Sequence, residues 1–131
     1  MGKTYSAIIF IAIITLLTNG CGEDPQRHLD LGLWYFEKGL VDDAILEYKE
    51  TIRLLPAEPR QLTREELNIV AAAHHSLAVA YAHKNWYELA QAEALLTFEM
   101  QPTEANFNLL DLVRQRARLE GQTDANSVSP Y

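Results

Sequence analysis

Apolar residues recur at helical spacing along most of the chain, and breaks in that pattern separate one helix from the next. The pattern breaks near Gly39 and Asn85, and again at Pro56 and Pro102. An apolar residue every three or four positions is typical of an amphipathic helix that packs one face on a core. Proline cannot continue a helix, so the two prolines mark helix ends. The pattern therefore predicts an all-α fold of helices arranged in pairs.

The chain also repeats itself at an interval of 46 residues, with eight identical positions within residues 28–56. The identical pairs are His28/His74, Leu31/Leu77, Tyr35/Tyr81, Lys38/Lys84, Ala44/Ala90, Glu47/Glu93, Thr51/Thr97 and Pro56/Pro102. Such self-similarity indicates a repeat architecture, in which neighbouring units stack and bury a continuous core.

Each unit carries one fixed spacing of aliphatic, small, aromatic, alanine and proline residues. In the first unit, residues 28–58, these positions are Leu31, Gly32, Tyr35, Ala44, Tyr48 and Pro56. In the second unit, within residues 59–102, they are Leu77, Ala78, Tyr81, Ala90 and Pro102. This spacing resembles the tetratricopeptide repeat (TPR), a pair of helices joined by a turn. The resemblance implies a short TPR array in which the small residue lets the two helices approach and the tyrosine fills the space between them.

The second unit is predicted to be longer than the first. A TPR unit has about 34 residues, so an interval of 46 leaves 12 inserted residues around 57–68. Thr63 and Glu66 have the spacing of a capping box, which marks the start of a helix. The first helix of the second unit should therefore begin near Arg64 and run to about Lys84, a length of ~30 Å.

A last helix is predicted over residues 103–121. Thr103 has the character of an N-cap and Gly121 that of a residue that ends a helix, with Arg114, Arg116 and Arg118 in the last turns. This helix resembles the capping helix that a repeat array needs over its last hydrophobic face. Residues 122–131 then form a flexible tail.

The first 20 residues have the layout of an export signal. Lys3 precedes the apolar run Ala7–Leu17, and Gly20 precedes Cys21. The segment resembles a bacterial lipoprotein signal, although Thr18 stands where that family usually has an aliphatic residue. The resemblance implies that Cys21 is lipidated and that residues 21–27 form the lipidated cysteine and a short tether. Two alternatives stay open, namely ordinary cleavage that leaves a free thiol and a retained signal anchor.

Size, charge and cysteine content exclude several classes of protein. Without residues 1–20 the chain has roughly 111 residues, which suits one small domain and excludes a two-domain enzyme. The formal net charge is −7, and an acidic surface repels nucleic-acid phosphates and anionic headgroups. We therefore expect no nucleic acid as a partner, and contact with a membrane only through the lipid. A single cysteine allows no intrachain disulfide.

No group of residues has the spacing of a catalytic or metal site. His75 and His83 would share a face of one helix but stand ~12 Å apart, which is too far for one ion. The adjacent His74 and His75 would point ~100° apart. The carboxylates of Asp42–Asp43 and Glu65–Glu66 fall in the first turn of predicted helices, where the helix dipole favours negative charge. We therefore predict that the chain is not an enzyme and has no catalytic residue, metal or cofactor.

The TPR resemblance also implies a place for a partner, because TPR proteins bind peptides along their first helices. The corresponding positions form a groove predicted to consist of Leu29, Leu33, Phe36, His75, Val79, Ala82, Leu109 and Val113. This groove is mostly apolar and would suit an amphipathic helix or an extended apolar segment. The alternative is that the long second-unit helix, the tail or a second copy covers these residues.

Together these patterns predict an exported, lipid-anchored TPR adaptor of the bacterial cell envelope, on the periplasmic side of either membrane. Its partner would be a protein or peptide, and an envelope assembly is one context in which such a subunit works. The alternative is a homo-oligomeric structural lipoprotein whose groove or array ends are buried by self-association.

Overall fold

The computed structural model describes residues 23–127, and the side chains of residues 23–121. Over that range the chain is all-helical and has no strand, so the predicted all-α class is confirmed. The elements are α1 (Pro25–Glu37), α2 (Val41–Arg53), a 3-10 turn (Pro59–Gln61), α3 (Arg64–His83), α4 (Tyr87–Met100) and α5 (Glu104–Ser127). The predicted signal and the lipidation site Cys21 lie outside the described residues, as does the end of the predicted tail.

The helices pack in chain order around one core. Each helix contacts the next one along the chain, and α1 also contacts α3. All five helices contribute buried side chains to this core, among them Leu29, Tyr48, Leu77, Ala94 and Val113. Because α1 and α3 lie side by side, the first helices of the two pairs share one face of the molecule.

The two helical pairs, α1–α2 and α3–α4, turn in the same way. Among the described residues, Gly39 and Asn85 have positive φ, at 77° and 61°. The following N–H groups, of Leu40 and Trp86, each donate to the carbonyl of a tyrosine five residues earlier at 2.9 Å. Glycine adopts this left-handed conformation without strain, and asparagine tolerates it better than most residues. The equivalent turns of the two helical pairs are therefore also 46 residues apart.

The close approach of α1 and α2 depends on Gly32. A Cβ atom at this position would stand 2.5 Å from Cε1 and 2.6 Å from Cδ1 of Tyr48. The ring of Tyr48 is 1% exposed and fills the space that the missing Cβ leaves. The second pair has Ala78 and Ala94 at the equivalent positions, both fully buried. Gly32 and Tyr48 therefore fill, in the first pair, the space that two alanines fill in the second.

Helix α3 begins as the capping box predicts. The backbone N–H of Glu66 donates to Oγ1 of Thr63 at 3.2 Å, and the N–H of Thr63 donates to Oε2 of Glu66 at 2.8 Å. The second of these hydrogen bonds lowers the pKa of Glu66 below its ordinary value, because it stabilises the carboxylate. Helix α3 has 20 residues against 13 in α1, so the predicted lengthening of this helix is confirmed.

The end of the last helix differs from the prediction. Helix α5 continues through Gly121 to Ser127, so neither a helix end at residue 121 nor a tail that starts at residue 122 is correct. Gly121 is helical and has no positive φ. A single glycine inside a helix costs only about 1 kcal/mol relative to alanine, which is too little to stop it. Arg114, Arg116 and Arg118 are consequently interior to α5 and do not complement its C-terminus.

Candidate functional site

Two adjoining depressions run along α3 on the side where α1 and α5 flank it. The first, of about 240 Å³, has walls from α1, α3, the end of α4 and the start of α5, and includes Leu33, His75 and Asn106. The second, of about 380 Å³, has walls from α3 and α5, and includes Val79 and Leu109. His75 and Val79 are one turn apart and share a face of α3. We call the two depressions together the groove.

Seven of the eight predicted groove residues line these depressions. Leu29, Leu33 and His75 line the first depression. Val79, Ala82, Leu109 and Val113 line the second depression. The eighth, Phe36, lines neither depression and has its ring edge-on to His83 at 5.8 Å.

The predicted residues are not equally accessible. Leu29 is 5% exposed and Val113 is 1% exposed, so both belong to the core and form the floor of the groove. Leu33, by contrast, is 44% exposed. Leu112, which the spacing did not single out, lines the second depression and is 52% exposed. A partner that docks in the groove would therefore meet Leu33 and Leu112 before the residues of the floor.

A hydrogen-bonded amide closes one end of the groove. Asn106 is buried, and its Oδ1 lies 3.1 Å from Nδ1 of His75. Its Nδ2 donates to the carbonyl of Gln101 at 2.8 Å, and its backbone N–H donates to Oγ1 of Thr103 at 3.2 Å. These bonds attach the start of α5 to α3, and Thr103 caps α5 as the sequence predicts. His75 is thereby fixed as a wall of the first depression.

Each helical pair contains the same histidine–glutamate contact. Nδ1 of His28 lies 2.6 Å from Oε2 of Glu47, and Nδ1 of His74 lies 2.6 Å from Oε2 of Glu93. The two contacts are related by the 46-residue interval and join the first helix of each pair to the second. The sequence shows that both partners repeat, but sequence reasoning missed that they pair. Their shared separation of 19 residues was the available signal.

A threonine accompanies each glutamate. Oγ1 of Thr51 donates to the carbonyl of Glu47 at 3.0 Å, and Oγ1 of Thr97 donates to the carbonyl of Glu93 at 2.9 Å. Both threonines are fully buried, and this back-bonding satisfies their hydroxyl groups. The second pair of helices buries its histidine more deeply, since the side chain of His74 is 11% exposed and that of His28 is 25% exposed. The histidines and glutamates thus hold the pairs together, outside the groove.

Charge at the groove is concentrated on one residue. Arg116 lines the second depression beside Val79 and Ala82. No carboxylate among the described side chains lies within ion-pair distance of it. The first depression has no charged residue in its lining over the same range. The groove therefore offers apolar contacts along its length and a cation at one end.

The part of the chain that the structure describes has neither a metal-binding cluster nor a helix that could cross a membrane. Within residues 23–121 no three histidine, cysteine, aspartate or glutamate side chains are grouped so that they hold a metal ion. Among the described helices none combines the length and the apolar character that crossing a membrane requires. Comparison of the chain with protein-family models, curated proteins and solved structures gives no match. Its function is therefore inferred from its own residues.

Proposed function

We propose that this chain is a lipid-anchored TPR adaptor of the bacterial cell envelope, and that it binds an apolar segment of a protein partner in the groove. The observation that carries the proposal is the groove itself. It displays exposed leucines, Leu33 and Leu112, on a face that the rest of the described chain leaves uncovered. Pockets lined mainly by apolar side chains with a few polar groups are the usual binding sites of proteins.

The TPR part of the proposal is supported by agreement between sequence and geometry. The repeat positions fall on two helical pairs whose turns have matching hydrogen bonds, at Leu40 and Trp86. The small residue of each unit, Gly32 or Ala78, is buried where its helix packs on the second helix of the pair. A TPR array presents its first helices on one side, and α1 and α3 share a face here in the same way.

The anchor is supported by the sequence. Gly20–Cys21 follows an 11-residue apolar run, Ala7–Leu17. Asp24, three residues after the cysteine, is the N-cap of α1 and accepts a hydrogen bond from the N–H of Gln26 at 3.0 Å. The tether between lipid and fold is therefore short, and the protein would stand close to the surface of the membrane that holds it, on the periplasmic side.

The adaptor is non-catalytic in this proposal. His75, the histidine that lines the groove, bonds to Asn106 and has a structural role. His74 and His28 bond to glutamates away from the groove. The residues that remain for a partner are the apolar side chains and Arg116, which favour binding over chemistry.

A homo-oligomeric lipoprotein is the second candidate. Helix α5 ends the described array, and its residues Phe107, Leu112 and Leu119 are all more than half exposed. Repeat arrays normally cover such an end with a polar capping face. A second copy that covered α5 would bury these side chains, and part of the groove with them.

Site-specific photocrosslinking distinguishes the two candidates. A photoreactive phenylalanine analogue is placed at Leu33, Leu112 or Leu46 of the full-length chain, and living cells are irradiated. Leu46 is the control, because it is 64% exposed on α2 and lines no part of the groove. We expect one heterologous product from positions 33 and 112 and none from position 46. A product of twice the mass of the chain would support the homo-oligomer, and equal labelling at all three positions would refute both.

The anchor needs a separate test. Cys21→Ser should move the protein from the membrane fraction to the soluble fraction, because a short apolar run holds a protein on a membrane only weakly. The mass of the N-terminal peptide of the unsubstituted protein should show a lipid on Cys21. A variant that stays in the membrane with residues 1–20 attached would show that the segment is an anchor and that Cys21 is not lipidated.

A further inference from the structure

A second apolar cavity lies apart from the groove, under the inserted segment. Residues 57–63, which we call the strap, form most of the connection between α2 and α3 and include the 3-10 turn. Beneath the strap is a cavity of about 330 Å³, lined by Leu55, Leu62, Val70 and Met100 among others. The strap lies within the 12-residue insertion, whereas the connection between α4 and α5 has only three residues.

The lining of this cavity is mainly apolar, and its two ionisable side chains have partners outside it. His74 is in the lining, but its Nδ1 is committed to Glu93. Arg53 is also in the lining, and its guanidinium group bonds outward to Glu50 and Glu23. Most of the surface that faces the empty space is therefore aliphatic and thioether. Such a space favours a hydrocarbon ligand over a polar one.

The start of the described chain lies at the edge of the same cavity. Nη2 of Arg53 is 3.0 Å from Oε2 of Glu23, the first described residue. The cluster with Glu50 raises the pKa of Arg53 and lowers that of Glu50, because the opposite charges bond to each other. Cys21 is two residues before Glu23, so the chain can carry it at most about 7 Å further. The Arg53–Glu23 ion pair therefore holds the start of the described chain, two residues after the proposed lipidation site, at the edge of the cavity.

We propose that one hydrocarbon chain of the lipid on Cys21 lies in the strap cavity whenever the protein is outside a bilayer. The proposal rests on the lipidation in the proposed function. A bilayer offers the chain an equally apolar environment, so insertion into a membrane competes with the cavity. The cavity would thus shield a chain from water during transfer and release it at the membrane. The groove, on the side of α3 that faces α1 and α5, would stay free for a partner.

The test follows the lipid with a photoreactive fatty acid. Cells that express the full-length chain are fed a fatty acid that carries a diazirine near its end. The processed protein is purified, freed of detergent and irradiated, and its peptides are identified by mass spectrometry. We expect the lipid on Cys21 to be joined to peptides that contain Leu62 or Met100. Irradiation in the presence of phospholipid vesicles should reduce this product severalfold, because the bilayer takes up the chain.

Two variants test the cavity, and a third variant is the matched control. Met100→Lys places a charge in the cavity and should reduce the product at least fivefold. Leu96→Lys lies one turn earlier on α4, is 39% exposed and does not line the cavity, so the product should persist. Ala57→Lys, at the exposed edge of the cavity, repeats the test without touching a helix and should also reduce the product. Circular dichroism confirms that each variant is folded.

The outcomes separate this inference from the proposed function. If Cys21 carries the lipid but the lipid is joined to groove residues or to another copy of the chain, the cavity proposal is wrong and the anchor stands. The cavity proposal is also wrong, and the anchor again stands, if the lipid is still joined to the cavity peptides in both Met100→Lys and Ala57→Lys. If the N-terminal peptide carries no lipid at all, its mass shows that the anchor has failed, and the cavity proposal fails with it.

Discussion

Replacing Gly32 with alanine tests the close packing of α1 on α2. The new Cβ atom would stand 2.5 Å from a ring carbon of Tyr48, whereas carbon atoms in good contact are ~3.5–4.0 Å apart. One of the two helices or the ring must therefore move by about 1 Å. The ring is 1% exposed and enclosed by the core, so it has little room to move.

The expected magnitude follows from two opposing terms. Alanine is favoured over glycine inside a helix by about 1 kcal/mol, and overpacking a core typically costs ~1–3 kcal/mol. Because the overlap is large, we expect Gly32→Ala to lower the free energy of unfolding by about 1–2 kcal/mol. In a Tyr48→Ala background the overlap with the ring is absent and only the 3.3 Å approach to the carbonyl oxygen of Ala44 remains. The same substitution should then raise the free energy of unfolding by up to ~1 kcal/mol. The two sites should therefore be coupled by roughly 2–3 kcal/mol.

Urea denaturation followed by far-ultraviolet circular dichroism measures the free energy of unfolding of the unsubstituted protein, of Gly32→Ala, of Tyr48→Ala and of the double variant. Gly121→Ala is the matched control, because a Cβ atom there meets nothing within 4 Å and the residue is also helical. It should stabilise α5 by ~0.5–1 kcal/mol. A stabilising effect of Gly32→Ala, or the absence of coupling between positions 32 and 48, would show that α1 and α2 do not pack as described. The repeat register would then also be wrong.

Three further predictions concern the helical pairs and the start of α3. Glu93→Gln should lower the free energy of unfolding by ~1.5–3 kcal/mol, because it replaces a charge-assisted hydrogen bond. Glu47→Gln should cost less, since His28 is more exposed than His74, and the exposed Glu99→Gln on the helix of Glu93 should be near neutral by urea denaturation. Thr63→Ala removes the N-cap of α3 and should cost ~1 kcal/mol in the same assay. The lowered pKa of Glu66 predicts that its stabilising contribution is fully present above the ordinary glutamate pKa of about 4.3 and is lost as pH falls through the lowered folded-state value. Glu66→Gln should remove this part of the pH dependence, whereas Glu65→Gln, in the same turn, should leave it unchanged.

Helix boundaries could be predicted from the sequence where one or two residues determine them. The start of α3 is marked by the capping box of Thr63 and Glu66, and the turn after α1 needs the positive φ that Gly39 supplies at no cost. The end of α5 was not predictable in this way. A glycine stops a helix only if the chain then turns, and at Gly121 the backbone stays helical and has no positive φ.

The accessible part of the groove depends on packing between helices, which the sequence does not display. The repeat register brought seven of eight predicted residues to the groove, yet Leu29 and Val113 are buried because neighbouring helices cover them. Leu112 was missed because its position in α5 follows from how that helix rotates against α3. The histidine–glutamate contacts were missed for a similar reason, since they depend on rotamers across two helices.

The groove is the central claim, and the affinity of the crosslinked partner segment tests it most directly. A synthetic peptide of that segment is titrated against the purified processed protein by calorimetry. Truncating a central apolar contact residue often costs more than 1 kcal/mol of binding, so Leu33→Ser with Leu112→Ser should weaken the affinity at least tenfold. Leu46→Ser should change it less than twofold. Equal affinities for the protein and the double variant, both folded by circular dichroism, would contradict the account.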